Sequence, residues 1–253
     1  MYAPYIFLAL GVVALVAFCI TRDRRSSATA ISFKTVASMM FIAVAITAIL
    51  TRRENPVPLV PALLMVGGLV CGLVGDITLD FKIFLKGLSY ERAERDADIM
   101  TYLGMAAFGV GHVLYITANA LRFPGTEMHL LWSALVAVGL VAAIFALSIG
   151  VMKMRFGKFL IPSISYALLL CFFVVYSIWQ LATVCACTAN VLMLLGAVFF
   201  IISDLILSMT YFSKPEDYQK TGMMHPESKL MIVANHFTYY VAQFLIALAI
   251  LFI

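Results

Sequence analysis

The stretch "PLVPALLMVGGLVCGLVGDITL" (residues 58–79) decides the fold. A helix needs about 20 apolar residues to cross roughly 30 Å of hydrocarbon, and this run supplies them. It holds one charge, Asp76, near its C-terminal end. A carboxylate in such a run costs about 2.5–3.5 kcal/mol at the bilayer centre, so it is a functional candidate by default.

Seven further runs of the same kind flank it. In order, the eight are Pro4–Thr21, Ser32–Leu50, Pro58–Leu79, Ile99–Leu121, Leu130–Val151, Phe159–Trp179, Val184–Phe212 and Leu230–Ile253. The chain is 64% hydrophobic and only 12% charged, with a mean hydropathy of +1.04. Soluble domains average about 45–50% apolar and about 25% charged residues, so this chain departs from them in both directions. The runs are too long for barrel strands and lack their alternation. The reading is an all-α polytopic membrane protein, eight transmembrane helices in a single domain over residues 1–253. The first run lacks a basic leader, and Arg22, Arg24 and Arg25 follow it, as at a membrane anchor rather than a removable signal. The five cysteines, scattered mostly in apolar runs, suggest no disulfide framework, and the Cys185/Cys187 spacing is weak evidence for metal or redox chemistry.

Positive charge sorts by side. The loops after helices 1, 3, 5 and 7 carry fourteen of the 17 basic residues, and Arg52, Arg53 and Arg122 lie opposite. The positive-inside rule puts both termini outside or in a lumen and the charged loops in the cytoplasm. Most acidic residues fall in these loops, Asp80 among them, and Glu54 and Glu127 fall on the other side. Only Asp76 and Asp204 remain inside the membrane. "SYERAERDAD" (89–98) reads as a solvated helical loop, with Glu91–Arg95 and Arg92–Asp96 at i,i+4 spacing.

The two membrane carboxylates share their surroundings. "VGDITL" (74–79) aligns with "ISDLIL" (202–207) at an offset of 128 residues. "GHVLY" (111–115) aligns with "NHFTY" (235–239) at 124, and Lys34 and Lys158 share that offset. Equivalent helices would run in the same direction, a parallel 4+4 repeat about an axis along the membrane normal. Both aspartates then lie at similar depth, roughly 5–12 Å inside the cytoplasmic boundary at 1.5 Å per residue.

Other polar residues fall on the same helices. His112 and Tyr115, like His236 and Tyr239, share a helix face. His112 lies deep, where an imidazole bonded to a neighbouring helix is as good a reading as a catalytic one. Asn235, His236, Tyr239, Tyr240 and Gln243 form a stripe on helix 8, read as a cavity lining rather than interhelical glue. His129 and His225 read as interface or loop residues. Lys34 and Lys158 are candidate phosphate ligands at the cytoplasmic surface, although charge placement alone also explains them.

"GLVGDITLD", "FGVGHVLYI", "GAVFFIISDLIL" and "NHFTYYVAQFLI", in that order, resemble the YhhN family of eight-helix membrane proteins, a family that includes lysoplasmalogenases. The resemblance covers essentially the whole chain. Where that family often has Lys-Pro at the start of helix 2, "FKTV" keeps Lys34 without the proline. The resemblance implies hydrolysis of the vinyl ether bond of lysoplasmalogen to a fatty aldehyde and a glycerophospho-base, with Asp76 and Asp204 catalytic.

Two carboxylates suit that reaction. A protonated one delivers a proton to the β carbon of the vinyl ether. An ionised one stabilises the oxocarbenium ion and orients water, as carboxylate pairs do in glycoside hydrolysis. Which aspartate is acid and which is base does not follow from sequence; a thin argument favours Asp76 as the acid, because Gly75, Val74 and Ile77 offer no side-chain donor, whereas Asp204 has Ser203 beside it. The expected partners are a lysophospholipid substrate and membrane lipids, with no nucleic acid and no stated oligomer. The phosphate would meet Lys34 or Lys158, and a choline would rest on Tyr211, Tyr239 or Tyr240. Neither metal nor cofactor is required, and no cluster with zinc spacing is present.

Two rivals are weighed. Intramembrane aspartyl proteases also use two aspartates, but "LVGD" and "ISD" do not match their motifs, and the only "PAL" (61–63) precedes both. A transporter would fit a repeat with membrane carboxylates. Against it, the aspartates lie near one leaflet and not at the midplane.

Overall fold

The computed structural model describes residues 2–23, 26–52, 58–88 and 90–253. Arg24, Arg25, Arg53 and Glu54, used above for charge placement, lie outside the described residues. Among the described residues eight helices are long and apolar enough to cross a membrane: α1 (Ala3–Thr21), α2 (Ala28–Thr51), α3 (Leu59–Lys86), α4 (Ala93–Arg122), α5 (Glu127–Phe145), α6 (Leu160–Trp179), α7 (Thr188–Phe212) and α8 (Lys229–Ala249). Wider turns continue α5 over Ala146–Val151 and α6 over Gln180–Val184. No strand occurs among the described residues.

Three boundaries differ from the hydropathy reading, and they shape the site. Ser27 caps α2, its Oγ accepting from the Ala30 amide at 3.1 Å, so the helix starts before the apolar run does. Lys34 therefore lies within α2 and is buried. Helix α3 runs on past Leu79 to Lys86, which places Asp80 and Lys82 on it, both buried. Helix α4 begins at Ala93 and takes in most of the "SYERAERDAD" segment. The Glu91–Arg95 and Arg92–Asp96 pairs are not among the ion pairs of the described residues; Asp96 instead accepts from the Tyr90 hydroxyl at 3.0 Å.

Glycines set how closely α3 and α4 approach. A Cβ on Gly68 would meet ring atoms of Tyr115 at 2.3–2.8 Å, and one on Gly75 would meet the Phe108 ring at 2.5–2.8 Å. In lipid, where helix association relies on van der Waals packing, such small residues let neighbouring elements make contact. Gly68→Ala tests this. Tyr115 is 1% exposed and stacked on Phe173, so its ring has nowhere to go. We expect about 1–3 kcal/mol of destabilisation from overpacking, read as a lower Tm of the purified protein in detergent.

Helix α8 is the most enclosed of the eight, packing against α1, α2, α3 and α7. Helix α5 packs chiefly on α6 and forms an outer wall. One end of the bundle gathers the α1–α2, α3–α4, α5–α6 and α7–α8 connections. Arg155 N donates to Phe212 O there, Lys158 pairs with Asp98, and Lys229 bonds the carbonyls of Ile20 and Arg22. That end holds the site.

Candidate functional site

Asp76 is 3% exposed and fully partnered from other helices. Ser38 of α2 donates to its Oδ2 at 2.6 Å, and the Tyr239 hydroxyl of α8 donates to the same oxygen at 2.9 Å. Lys34, one turn before Ser38, puts Nζ 3.4 Å from Asp76 Oδ1. The same ammonium lies 3.5 Å from Oδ2 of Asp80, one turn further along α3. Arg22, at the end of α1, completes the set, with Nε 3.5 Å from Asp80 Oδ1. Two carboxylates and two cations thus alternate in a cluster whose side chains are 2–7% exposed. Charges leave water at a cost of several kcal/mol per ion unless paired, and here the formal charges balance.

A chain of hydrogen bonds holds Asp76 from above. The Tyr115 hydroxyl donates to Gln243 Oε1 at 2.9 Å, and Gln243 Nε2 reaches the Tyr239 oxygen at 2.9 Å. Gly72 leaves room for this chain, since a Cβ there would lie 2.4 Å from Gln243 Nε2. Tyr240 donates to the Lys34 carbonyl at 3.0 Å and lies 2.8 Å from Ser38 Oγ.

Asp204 is held differently. Its partner is the Tyr166 hydroxyl of α6, which donates to Oδ2 at 2.5 Å. Among the described residues no cation lies within ion-pair distance of it. Ser203 faces α8, exchanging hydrogen bonds with Asn235 at 2.8–3.2 Å.

Two cavities meet at Asp204. A polar one of about 60 Å³ is lined by Arg22, Lys34, Asp76, Asp80, Ser203, Asp204, Asn235, His236 and Tyr239, with apolar neighbours. An almost wholly apolar one of about 120 Å³ runs between α4, α5, α6 and α7, lined by residues such as Met105, Phe145, Leu170 and Ile201. Leu79, Asp204, Leu207 and Tyr211 border both. The two aspartates therefore face one polar cavity, and Asp204 stands where it joins the apolar one.

A family model for the YhhN family matches residues 29–250. The chain belongs to the YhhN family. No curated protein and no solved structure matches it.

Several sequence expectations are corrected in this YhhN chain. Asp80 is not a loop residue but a third carboxylate inside the helix bundle. Lys34 is no open surface cation, because Asp76 and Asp80 engage it. Lys158 is exposed and paired with Asp98. His112 and Tyr115 line neither inner cavity. The His112 Nδ1–H donates to Phe108 O at 2.8 Å, and its ring packs 4.5 Å from that of Phe200.

The α8 stripe divides. Asn235, His236 and Tyr239 line the polar cavity, while Tyr240 and Gln243 serve as interhelical links. Tyr240 is fully buried and offers no face to a choline. Tyr211 borders both cavities, but the Lys82 ammonium lies over its ring, 3.6 Å from the centroid, where a choline was expected. The Asp76 environment also reverses its expected character. Donors absent from its sequence neighbours arrive from α2 and α8, and Asp204 is the carboxylate with a single partner.

Arg22, Ser38, Asp80, Lys82 and Tyr166 were not among the expected site residues. One signal could have found two of them. Ser38 precedes Asp76 by 38 residues and Tyr166 precedes Asp204 by 38, and each hydroxyl donates to its aspartate. The same correspondence sets position 34 against Pro162, one turn past Lys158, so the matched lysines occupy different places.

Proposed function

We propose that this YhhN protein hydrolyses the vinyl ether bond of a lysoplasmalogen, releasing a fatty aldehyde and a glycerophospho-base. One observation carries the reading: both aspartates face a polar cavity, and Asp204 marks its junction with an apolar one. A single-chain amphiphile with its tail leading into the apolar cavity and its glycerol end in the polar one would bring the head–tail bond to Asp204.

The roles follow from the partners. Asp204, with a tyrosine hydroxyl and, among the described residues, no cation within ion-pair distance, is assigned the proton. It transfers this proton to the β carbon of the vinyl ether, and the α carbon becomes an oxocarbenium ion. Asp76, held by Lys34, Ser38 and Tyr239, supplies the fixed negative charge that stabilises the cation and orients water. Water adds to the α carbon and returns a proton to Asp204. The hemiacetal then collapses to aldehyde and alcohol. Each step conserves atoms and charge, and the sum is vinyl ether plus water.

Tyr166 is the positioning residue for Asp204. Tyr166→Phe removes its one hydrogen bond, and we expect kcat to fall about tenfold with KM nearly unchanged, a loss of about 1.4 kcal/mol in initial rates of aldehyde release. An equal rise in KM would mark Tyr166 as a cavity wall instead.

The charge sorting supports a cytoplasmic placement of the site end, with both termini on the other side. The paired Ser38–Asp76 and Tyr166–Asp204 bonds support a parallel duplication of four helices. In that reading the two copies have diverged, one keeping a lysine beside its aspartate and the other not.

The experiment is incubation of purified protein in detergent, without a gradient, with lysoplasmalogen and with the corresponding ester lysophospholipid. Aldehyde from the vinyl ether lipid alone supports the proposal. Fatty acid from the ester redirects it to an esterase, and binding without product redirects it to a carrier.

A further inference from the structure

Lys82 is the cation at this end for which the hydrolytic site has no use. It is 8% exposed, yet among the described residues no carboxylate lies within 4.0 Å of it. Its ammonium sits 3.6 Å from the centroid of the Tyr211 ring. The stem is buried while the ammonium opens onto the outer cavities, held there by the cation–π contact. That placement suits an anionic ligand.

The surroundings support this. Two outer cavities, of about 340 and 410 Å³, share Lys82, Lys86 and Tyr211. The first also has Arg22 and Glu227; the second has Arg155, Lys158 and Asp98. Arg22 is taken by Asp80 and Lys158 by Asp98. Lys86 and Arg155, both exposed, have no carboxylate within 4.0 Å among the described residues. Against these three free cations stands one further acid, Glu227. Tyr211 borders the inner polar and apolar cavities as well, so the outer pair adjoins the seam at Asp204.

We propose that Lys82, with Lys86 and Arg155, binds the phosphodiester of the lipid headgroup. This rests on the lysophospholipid reading and assigns it a headgroup site that the expected ligands, Lys34 and Lys158, do not provide. Spacing agrees. Lys82 follows Asp76 on α3 by six residues, about 9 Å of axial rise. In the lipid, five bonds separate the vinyl ether oxygen from phosphorus, roughly 6–7 Å when extended. A lysine stem spans the remainder. Asp76 and Asp204 line one cavity with Tyr211, over whose ring Lys82 lies, so a phosphate five bonds from the scissile oxygen extends toward Lys82.

The test is binding to purified protein in detergent, by calorimetry, of two ligands that cannot be hydrolysed. One is a saturated 1-O-alkyl lysophosphocholine, and the other is the matched 1-O-alkylglycerol without phosphate. Wild type should bind the phosphate-bearing ligand at least about tenfold tighter, the scale of one hydrogen bond to a charged group. Lys82→Met should remove most of that difference and leave alkylglycerol binding unchanged, and Lys82→Arg should restore it. Should Lys82→Met not fold, Lys86→Gln/Arg155→Gln, at two exposed positions, is expected to narrow the same difference about threefold or more.

Equal loss for both ligands would make Lys82 a structural residue, and no loss would remove the site; either overturns the proposal. Competition separates the sources of phosphate. Displacement by inorganic phosphate as effective as by the lipid would point to a general anion site and also overturn it. Neither ligand has a vinyl bond, so the result is independent of hydrolysis. A preference for phosphate without aldehyde production would retain the site and refute the enzyme, and the converse would do the opposite.

Discussion

Asp204→Asn is expected to lower aldehyde release about 10²–10⁴-fold, the range that a positioned general acid contributes, while the protein stays folded. Asparagine preserves the shape and keeps a carbonyl oxygen to accept from Tyr166. It has no proton to give to carbon. The fold should tolerate the change because Asp204 joins no ion pair among the described residues, so no cation is left unpaired. The measurement is kcat with lysoplasmalogen beside the Tm in the same detergent. A lost activity with an unchanged Tm places Asp204 in the chemistry, and a collapse of both would place it in the scaffold. Full activity in a folded variant would remove Asp204 from the mechanism.

Asp76→Asn is expected to cost both quantities. Activity should fall on the same scale as for Asp204→Asn, because the fixed negative charge beside the oxocarbenium ion is gone. Stability should fall as well. Lys34 keeps one of its two carboxylates, and a balanced cluster of two cations and two anions becomes one of net positive charge in a buried place. Breaking a buried pair outright costs about 3–5 kcal/mol, and the surviving Lys34–Asp80 contact brings this one below that range.

Asp80→Asn separates the two effects. It removes the carboxylate that bridges Lys34 and Arg22, leaving Arg22 without an acid among the described residues, and should lower the Tm at least as far. Activity should persist, because Asp76 keeps Lys34, Ser38 and Tyr239. Equal loss of activity in the two variants would mean that cluster charge, rather than Asp76 itself, supports turnover.

These outcomes bear on what a membrane sequence discloses. Eight spans were legible because lipid demands apolar residues along nearly the whole of each helix. Asp76 and Asp204 were legible because a carboxylate is conspicuous in such a run. Asp80 was not, since an apolar run ends at its first charges whereas α3 continues through them to Lys86. Arg22, and the partnership of Lys34 with the aspartates, were hidden by a rule that works: basic residues near helix ends need no explanation beyond topology. Only burial and ion pairs with Asp76 and Asp80 of α3 distinguish the two residues from the solvated lysines around them.

Ser38 and Tyr166 carried no compositional signal at all. Serine and tyrosine are ordinary in membrane helices, and only their equal spacing from the two aspartates singles them out before each is seen on its carboxylate. Sequence left the roles of acid and base open for the same reason. Neighbours along a helix point about 100° apart, so the residues beside Asp76 in sequence say little about which groups surround it. Its donors come from α2 and α8.

The position of the bond that breaks tests the chemistry most directly. Wild-type protein is given lysoplasmalogen in ¹⁸O-labelled water, and the glycerophospho-base is analysed by mass spectrometry. Proton delivery to the β carbon followed by water addition at the α carbon leaves the glycerol oxygen in place, so the released glycerophospho-base should carry no label and fatty aldehyde should appear with it. Label in the glycerol hydroxyl would show cleavage on the other side of the oxygen, and absence of both products would show no hydrolysis; either result would contradict the proposed role of the two aspartates.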